Sequence, residues 1–226
     1  MGWVLALVLL ATAGTWGCND EKRVNRDKPG GPLYRMWDSN GERIIVTDAK
    51  DEVVCKFRKR SRGIKVYDSD LAPVGVVGSG PTQEGESSPE ERQVRVEHLG
   101  KEPTEVLEHR GENIWEMERT FRLERTSDGW AVFDENAEWI GRFHRGDDGG
   151  WRLEKGRNEP KVSSVEKRDR GMRSKSGRKT VFETRSNEME APVLLALSLD
   201  ELSLVHRVAI GRWLGNIEGN LKNPNR

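Results

Sequence analysis

The sequence predicts a mainly β protein that is built from repeated strand-turn-strand units and ends in a hydrophobic helix. Three observations support this prediction. Apolar residues alternate with polar ones over many short segments, an Asp follows several of these segments, and residues 191–199 are almost entirely apolar. Alternation with a period of two is typical of a strand with one buried face, whereas a helix that is apolar all round must be buried on every side.

The strand-turn-strand unit occurs three times with the same spacing. Its pattern is Φ-x-Φ-x-Asp, then five residues, then a second strand that begins Φ-Gly/Cys-x-Φ, where Φ is hydrophobic. The Asp is expected to cap a turn by accepting hydrogen bonds from backbone N–H groups that follow it, and the Gly permits another segment to approach closely. The copies span residues 44–57, 64–77 and 130–143, and residues 34–38 are a fourth, shorter start.

Other segments are assigned from the same alternation and from turn residues. Residues 78–92 lack periodicity and are rich in Gly, Ser, Pro and Glu, which predicts a disordered insertion between strands. Residues 100–113 are interpreted as a further irregular loop. Asn40-Gly41 and residues 147–150 are the clearest hairpin tips. Further strands are predicted at 93–96, 120–123, 151–153 and 181–184, with a weaker candidate at 162–165.

Charge and cysteine content exclude several classes of protein. The 226-residue chain carries 38 Lys+Arg and 38 Asp+Glu, so its formal net charge is zero. A protein that coats nucleic acid needs a bulk positive charge, and we therefore expect no nucleic-acid partner. Two Cys residues are too few for a disulfide scaffold or a four-thiolate zinc site.

The N-terminus has the features of an export leader. Residues 1–17 hold no charged side chain, and the apolar run at 3–13 is too short for a membrane-spanning helix, which needs about 20 residues. Gly17 directly before Cys18 resembles the lipobox of bacterial lipoproteins. That resemblance implies removal of residues 1–17 and acylation of Cys18, whose lipid chains would anchor the protein in a membrane.

Two other outcomes stay open for the N-terminus. Ala11-Thr12-Ala13 fits an ordinary signal-peptidase site, and cleavage there would release a secreted protein in which Cys18 could pair with Cys55. The leader could also remain as an uncleaved anchor. In the lipoprotein interpretation, the polar stretch after Cys18 is a flexible tether, and the folded domain faces the periplasm or the exterior.

Two helices are predicted near the C-terminus. Residues 191–199 contain Pro192, which suits the first turn of a helix, and they end before Asp200-Glu201. Ser203 opens a second helix over residues 204–214, and its apolar residues do not fall on one face. The first of these helices is too short to cross a bilayer and is expected to be buried in protein.

Hairpin repeats followed by one apolar C-terminal segment resemble the tubby-C-terminal-like group, which includes tubby, the phospholipid scramblases and the plant LURP-one-related proteins. The resemblance covers residues 33–214, and its most specific part is the segment 193–199. It implies a closed antiparallel β-barrel of about a dozen strands with the hydrophobic helix in the lumen, and a wide barrel does need such filling. The implied organisation is a signal peptide at 1–17, a lipidated Cys and tether at 18–32, a barrel domain at 33–214 and a polar tail at 215–226.

The sequence contains no recognisable catalytic or metal-binding motif. Its four histidines lie in unrelated segments without a Cys or His at ligand spacing, so each is interpreted as a surface or packing residue. We expect no cofactor and no bound metal. Cys55 replaces the repeat glycine and is interpreted as a small buried hydrophobe. The histidines are His98, His109, His144 and His206.

A basic cluster at residues 56–62 is the candidate for binding an anionic ligand. It lies at a hairpin end, where each cation near an anionic surface contributes about 1 kcal/mol. A second basic stretch covers residues 167–179. The first cluster consists of Lys56, Arg58, Lys59, Arg60 and Arg62.

These features predict a non-catalytic, lipid-anchored cell-envelope protein whose barrel binds or scaffolds a lipid, glycan or protein partner. Two alternatives remain. One is a protein that handles anionic lipid, as the kinship with tubby and the scramblases suggests. The other is a secreted enzyme whose active site is assembled from distant strands.

Overall fold

A computed structural model describes residues 43–60, 63–79, 94–99, 104–156 and 158–222. Within these ranges the chain forms fourteen β-strands followed by two α-helices. The strands are β1 (Arg43–Asp48), β2 (Val53–Arg60), β3 (Gly63–Tyr67), β4 (Pro73–Ser79), β5 (Val94–His98), β6 (Glu105–Gly111), β7 (Ile114–Met117), β8 (Phe121–Arg125), β9 (Gly129–Asp134), β10 (Trp139–Arg145), β11 (Trp151–Lys155), β12 (Lys161–Arg168), β13 (Gly171–Ser176) and β14 (Lys179–Thr184). The helices are α1 (Ala191–Ala196) and α2 (Leu204–Lys222).

The strands form one closed antiparallel barrel. Each strand pairs with its neighbours in sequence, and β14 pairs with β1 through Thr47↔Glu183 and Asp48↔Phe182 to close the ring. Closure pairs both edges of the sheet, which removes the exposed strand edges that promote aggregation. The prediction of a closed antiparallel barrel built from hairpin repeats is therefore confirmed.

The Asp of each repeat caps its turn as predicted. Asp48 Oδ1 accepts hydrogen bonds from the backbone N–H groups of Lys50 and Glu52, at 2.8 and 2.9 Å. Asp68 and Asp134 accept bonds from their own second and fourth following N–H groups. The third residue after each Asp has a left-handed backbone, which a non-glycine residue seldom adopts. These residues are Asp51 (φ 66°), Leu71 (φ 63°) and Ala137 (φ 61°).

The structure corrects the interpretation of residues 100–113 as an irregular loop. Residues 105–111 of that segment form strand β6, which pairs with β7 and buries Leu107. The predicted insertion at 78–92 also begins later than expected, since β4 includes residues 78 and 79. The rest of that insertion lies outside the described residues, as do the leader, Cys18, the tether and the short repeat at 34–38.

The second C-terminal helix is longer than predicted. It continues from residue 214 to Lys222, so residues 215–222 are helical rather than part of a polar tail. Ile217, in this added part, is buried. The helix is buried on nearly all sides between residues 205 and 214, which explains why its apolar residues do not fall on one face. Neither α1 nor α2 combines the length and apolar character needed to span a bilayer.

The apolar segment at 191–199 forms a short helix followed by a buried turn. α1 has Pro192 in its first turn and ends at Ala196, and residues 197–199 continue through turn hydrogen bonds. Burial of one Leu or Val side chain contributes about 1.5–3 kcal/mol relative to exposure. The residues at most 2 % exposed are Val193, Leu194, Leu195, Ala196, Leu197 and Leu199.

Both helices pack against strands that lie far apart in the ring. α1 contacts β11, β12 and β13, whereas α2 contacts β4 and β5. Trp213 of α2 also packs against Trp115 of β7 and Trp130 of β9, with ring centroids 5.2 and 4.7 Å apart. The buried residues of the strands and of the two helices form one hydrophobic cluster.

Glycines of the repeat lie where the helices meet the strands. A Cβ added to Gly75 would lie 2.9 Å from a Cγ atom of Val205, and one added to Gly141 would lie 3.2 Å from Cδ2 of Leu199. The close approach expected from the repeat pattern is therefore present at both glycines. The two helices themselves meet at Gly211, where an added Cβ would lie 2.3 Å from Cα of Val193.

We predict that Gly211→Ala destabilises the protein by about 1–3 kcal/mol, because the new methyl group would overlap the backbone of α1. A loss of stability would distinguish the buried contact from an exposed helix position, where Gly→Ala stabilises a protein by about 1 kcal/mol. Urea unfolding measures the effect. The matched control is Gly111→Ala, whose added Cβ meets no atom within 4 Å and is expected to change little. A Gly211→Ala protein as stable as the control would contradict the packing of α1 on α2.

Candidate functional site

Three side chains from distant parts of the chain converge beside β5, β6 and α2. His98 is the last residue of β5, Glu105 is the first of β6, and His206 lies in the first turn of α2. The Nε2 atoms of the two histidines are 3.1 Å apart. Glu105 Oε2 lies 2.7 Å from His206 Nε2, and Glu105 Oε1 lies 3.3 Å from His98 Nε2. We call these three residues the His-Glu-His cluster.

The cluster lies at the border between the core and solvent. The His206 side chain is 8 % exposed, whereas those of His98 and Glu105 are 19 % and 25 % exposed. Burial lowers the pKa of His206 below its usual value. The Glu105 carboxylate opposes this shift, and His98 adds to it. The imidazole of His206 is therefore held in its neutral form, which is the form that can use a nitrogen lone pair to bind a cation.

Neighbouring hydroxyl groups orient the cluster. Ser203 Oγ lies 2.8 Å from His206 Nδ1 and also accepts a hydrogen bond from the His206 backbone N–H. Thr120 Oγ1 donates to Glu105 Oε2 at 3.3 Å. Support of this kind fixes the tautomer of an imidazole and the rotation of a carboxylate.

A groove opens beside Glu105. Its volume is about 480 Å³, and residues of β6 and of the β7–β8 turn form its walls. Both acidic and basic side chains line it, and Arg110 forms an ion pair with Glu108 at 2.9 Å. Glu105 belongs to both the groove and the His-Glu-His cluster, so a ligand in the groove could reach that carboxylate. The charged and hydroxyl-bearing residues of the walls are Thr104, Glu105, Glu108, Arg110, Glu118, Arg119 and Thr120.

The interpretation of His98 and His206 as residues of unrelated segments is wrong, because the fold brings their Nε2 atoms together. They are 108 positions apart, so no local spacing could reveal the pair. The proximity of His98 and Glu105 could have been predicted from the sequence. Had β6 been recognised, His98 and Glu105 would have been placed at facing ends of one hairpin. His109 and His144 do lie elsewhere, since His109 stacks on Trp115 and His144 contacts the carbonyl of Arg145.

The predicted basic cluster does not form one continuous patch. Lys56 is buried, with its ammonium group 5.3 Å from the ring centre of Tyr67. Lys59 makes an ion pair with Glu188 at 2.7 Å. Arg58 pairs across the sheet with Arg43 and Lys65. Neighbouring positions along a strand face opposite sides of the sheet, so Arg58 and Lys59 point to different environments.

The side chains of the last two residues of that cluster are not among those the structure describes. Arg60 ends β2, but its side chain is not among those described, and Arg62 lies outside the described residues. Arg43, Arg58 and Lys65 are therefore the basic residues that lie next to one another, on the three neighbouring strands β1, β2 and β3. Like charges directly opposite one another destabilise a sheet unless another charge compensates them.

Cys55 has the buried position that the sequence predicted. It is fully buried on β2, and burial raises the pKa of its thiol far above the usual value, with a smaller opposing effect from Arg207. It forms no disulfide within the part of the chain that the structure describes. A thiol in this state is inert, since the thiolate is the reactive form.

Comparison of the chain with protein families, curated proteins and solved structures found no match. The resemblance to the tubby-C-terminal-like group therefore stays a prediction from the sequence pattern.

We predict that Cys55 reacts with Ellman's reagent only after unfolding, because the barrel excludes both the reagent and the thiolate charge. The measurement is made at mildly alkaline pH on the Cys18→Ser protein, with and without urea. Lys179→Cys at an exposed position is the control for reagent activity and should react at once. Equal rates at the two positions in native buffer would show that Cys55 is accessible.

Proposed function

We propose that this protein is a lipid-anchored cell-envelope protein whose β-barrel serves as a binding or scaffolding body. The observation that carries the proposal is the packing of α1 and α2 against the barrel strands. A barrel filled with apolar side chains is a rigid unit that presents ligand sites on its outside and at its ends.

In this proposal the two helices occupy the lumen. Their contacts support this position, because β4 and β5 lie about half a ring away from β11, β12 and β13 in the closed strand order. Trp213 adds contacts to two strands between those groups. A helix pair outside the ring would touch one side of the wall only.

Because a filled lumen leaves no room for a ligand, we place the binding surface at the groove beside Glu105. Its walls carry acidic and basic side chains together, which suits a polar partner with charges of both signs better than an acyl chain. The groove is built on β6 and on the turn between β7 and β8, and each of these three strands is paired on both sides. A rigid base of this kind reduces the ordering cost of binding.

The anchor in this proposal is Cys18. An apolar run that ends in Gly17-Cys18 and is followed at once by polar residues supports acylation at that thiol. Two or more acyl chains hold a protein on a membrane where one chain gives only reversible binding. The first described strand begins at Arg43, and in this proposal the sequence between Cys18 and Arg43 would separate the barrel from the membrane.

Handling of anionic lipid has less support. The basic cluster that would contact headgroups is divided, with Lys56 buried and Lys59 paired to Glu188. We therefore prefer a binding role for the barrel over lipid transfer.

We predict that bacterial cells expressing this protein incorporate radiolabelled palmitate into it, and that Cys18→Ser abolishes the label. The expected loss follows from the thioether link, which needs the Cys18 sulfur. Cys55→Ala is the matched control and should keep the full label, because it leaves the Gly17-Cys18 motif unchanged. Absence of label on the wild-type protein, or equal label on Cys18→Ser, would remove the lipoprotein claim.

A further inference from the structure

We propose that His98, Glu105 and His206 form a binding site for a divalent transition-metal ion, with zinc as the best fit. The inference does not depend on the lipid anchor or on a partner for the groove. It rests on the distances within the His-Glu-His cluster, on the protons available to it, and on its place in the barrel.

The donor atoms are spaced as the ligands of one metal ion would be. Bonds of about 2.0–2.1 Å in a tetrahedral zinc site put neighbouring ligand atoms roughly 3.3 Å apart. In the cluster, the two imidazole Nε2 atoms are 3.1 Å apart, and the Glu105 oxygens lie 2.7 and 3.3 Å from the two nitrogens. The two Glu105 contacts use different oxygens, and one ligand atom from each residue places all three within 4.8 Å of one another. A metal ion between them would be bound after the carboxylate rotates toward His98 or by both carboxylate oxygens.

With Glu105 ionised, no assignment of the two Nε2 protons satisfies all three short contacts. If only His206 is protonated at Nε2, it donates to Glu105, but His98 Nε2 and Glu105 Oε1 are then two acceptors that face each other at 3.3 Å. If His98 and His206 both donate their Nε2 protons to Glu105, two N–H donors face each other at 3.1 Å. If instead His98 donates to His206, the His206 lone pair is used, and Glu105 Oε2 is then an acceptor facing another acceptor at 2.7 Å. A cation that accepts a lone pair from all three groups removes the conflict.

The surrounding residues match those of a metal site. In the tautomer in which His206 Nδ1–H donates to Ser203 Oγ, Nε2 is left unprotonated and faces His98 and Glu105. Thr120 holds the Glu105 carboxylate in the same manner. Two imidazoles and one carboxylate are ligands that zinc prefers, whereas calcium and magnesium prefer sites made of oxygen alone.

The position of the cluster suggests what the ion does. Among the described residues, β5 and β6 pair only through Arg95↔Val106 and Val96↔Glu105, which makes this a thin seam in the barrel. His98 and Glu105 lie on the two sides of that seam, and His206 belongs to the helix packed behind it. A metal ion would therefore join β5, β6 and α2, and its binding would stabilise the closed barrel by mass action.

Three protein ligands leave a fourth position open on a tetrahedral ion. Glu105 also lines the groove, so that position is within reach of a water molecule or of a ligand donor in the groove. The metal ion would thus hold β5, β6 and α2 together, and a ligand in the groove would supply its fourth donor atom.

The test uses the purified full-length protein after treatment with EDTA. We expect isothermal titration with zinc chloride to show one equivalent bound and zinc to raise the thermal unfolding temperature. His98→Gln and His206→Gln should each weaken binding by about 100-fold or more, and Ser203→Ala by roughly 10-fold, in line with the usual effect of ligands and their supports. His144→Gln is the matched control and should bind as the wild-type protein does.

A second measurement keeps the proposal open to refutation if a variant misfolds. Imidazole ¹⁵N NMR of the wild-type protein should show the Nε2 signals of His98 and His206 shifting on addition of one equivalent of zinc, while His109 and His144 stay unchanged. No binding by the wild-type protein overturns the proposal. Binding that the two histidine variants retain, or NMR shifts confined to His109 and His144, overturns it as well.

Discussion

The close packing of α1 and α2 against each other and against strands on both sides of the ring is the constraint on which this structure depends. The apolar segment from Val193 to Leu199 is buried almost completely, and at about 1.5–3 kcal/mol for each large side chain it contributes on the order of 10 kcal/mol. That amount is comparable to the whole net stability of a domain. Gly211, Gly75 and Gly141 permit the contacts by leaving room where a Cβ would collide.

This constraint also determines where function can lie. Side chains that fill the interior are committed to packing, so polar groups that can meet a ligand belong to the strand ends, the turns and the outer face. The His-Glu-His cluster is at such a place, between a helix of the core and the ends of two strands. The groove beside it shares Glu105, so stability of the barrel and binding at its surface involve one carboxylate.

Local patterns predicted much of the fold, and long-range convergence explains what they missed. The turn aspartates, the repeat glycines and the buried Cys55 follow from spacing, because each acts within a few residues or within one hairpin. β6 was missed because only Leu107 and its partly buried neighbours mark an apolar face, and its pairing partners make it a strand. The cluster was missed for a stronger reason, since His206 joins it through packing of a helix over 100 positions away.

Native-state hydrogen exchange tests the proposed position of the helices most directly, because amides of a helix pair inside the lumen would exchange only when the barrel opens. Mass spectrometry of peptides covering residues 193–199 should show exchange as slow as that of the strands β9 and β10, and governed by global unfolding. Exchange of this segment much faster than that of the two strands would show that the helix pair detaches from an intact barrel and would contradict the account.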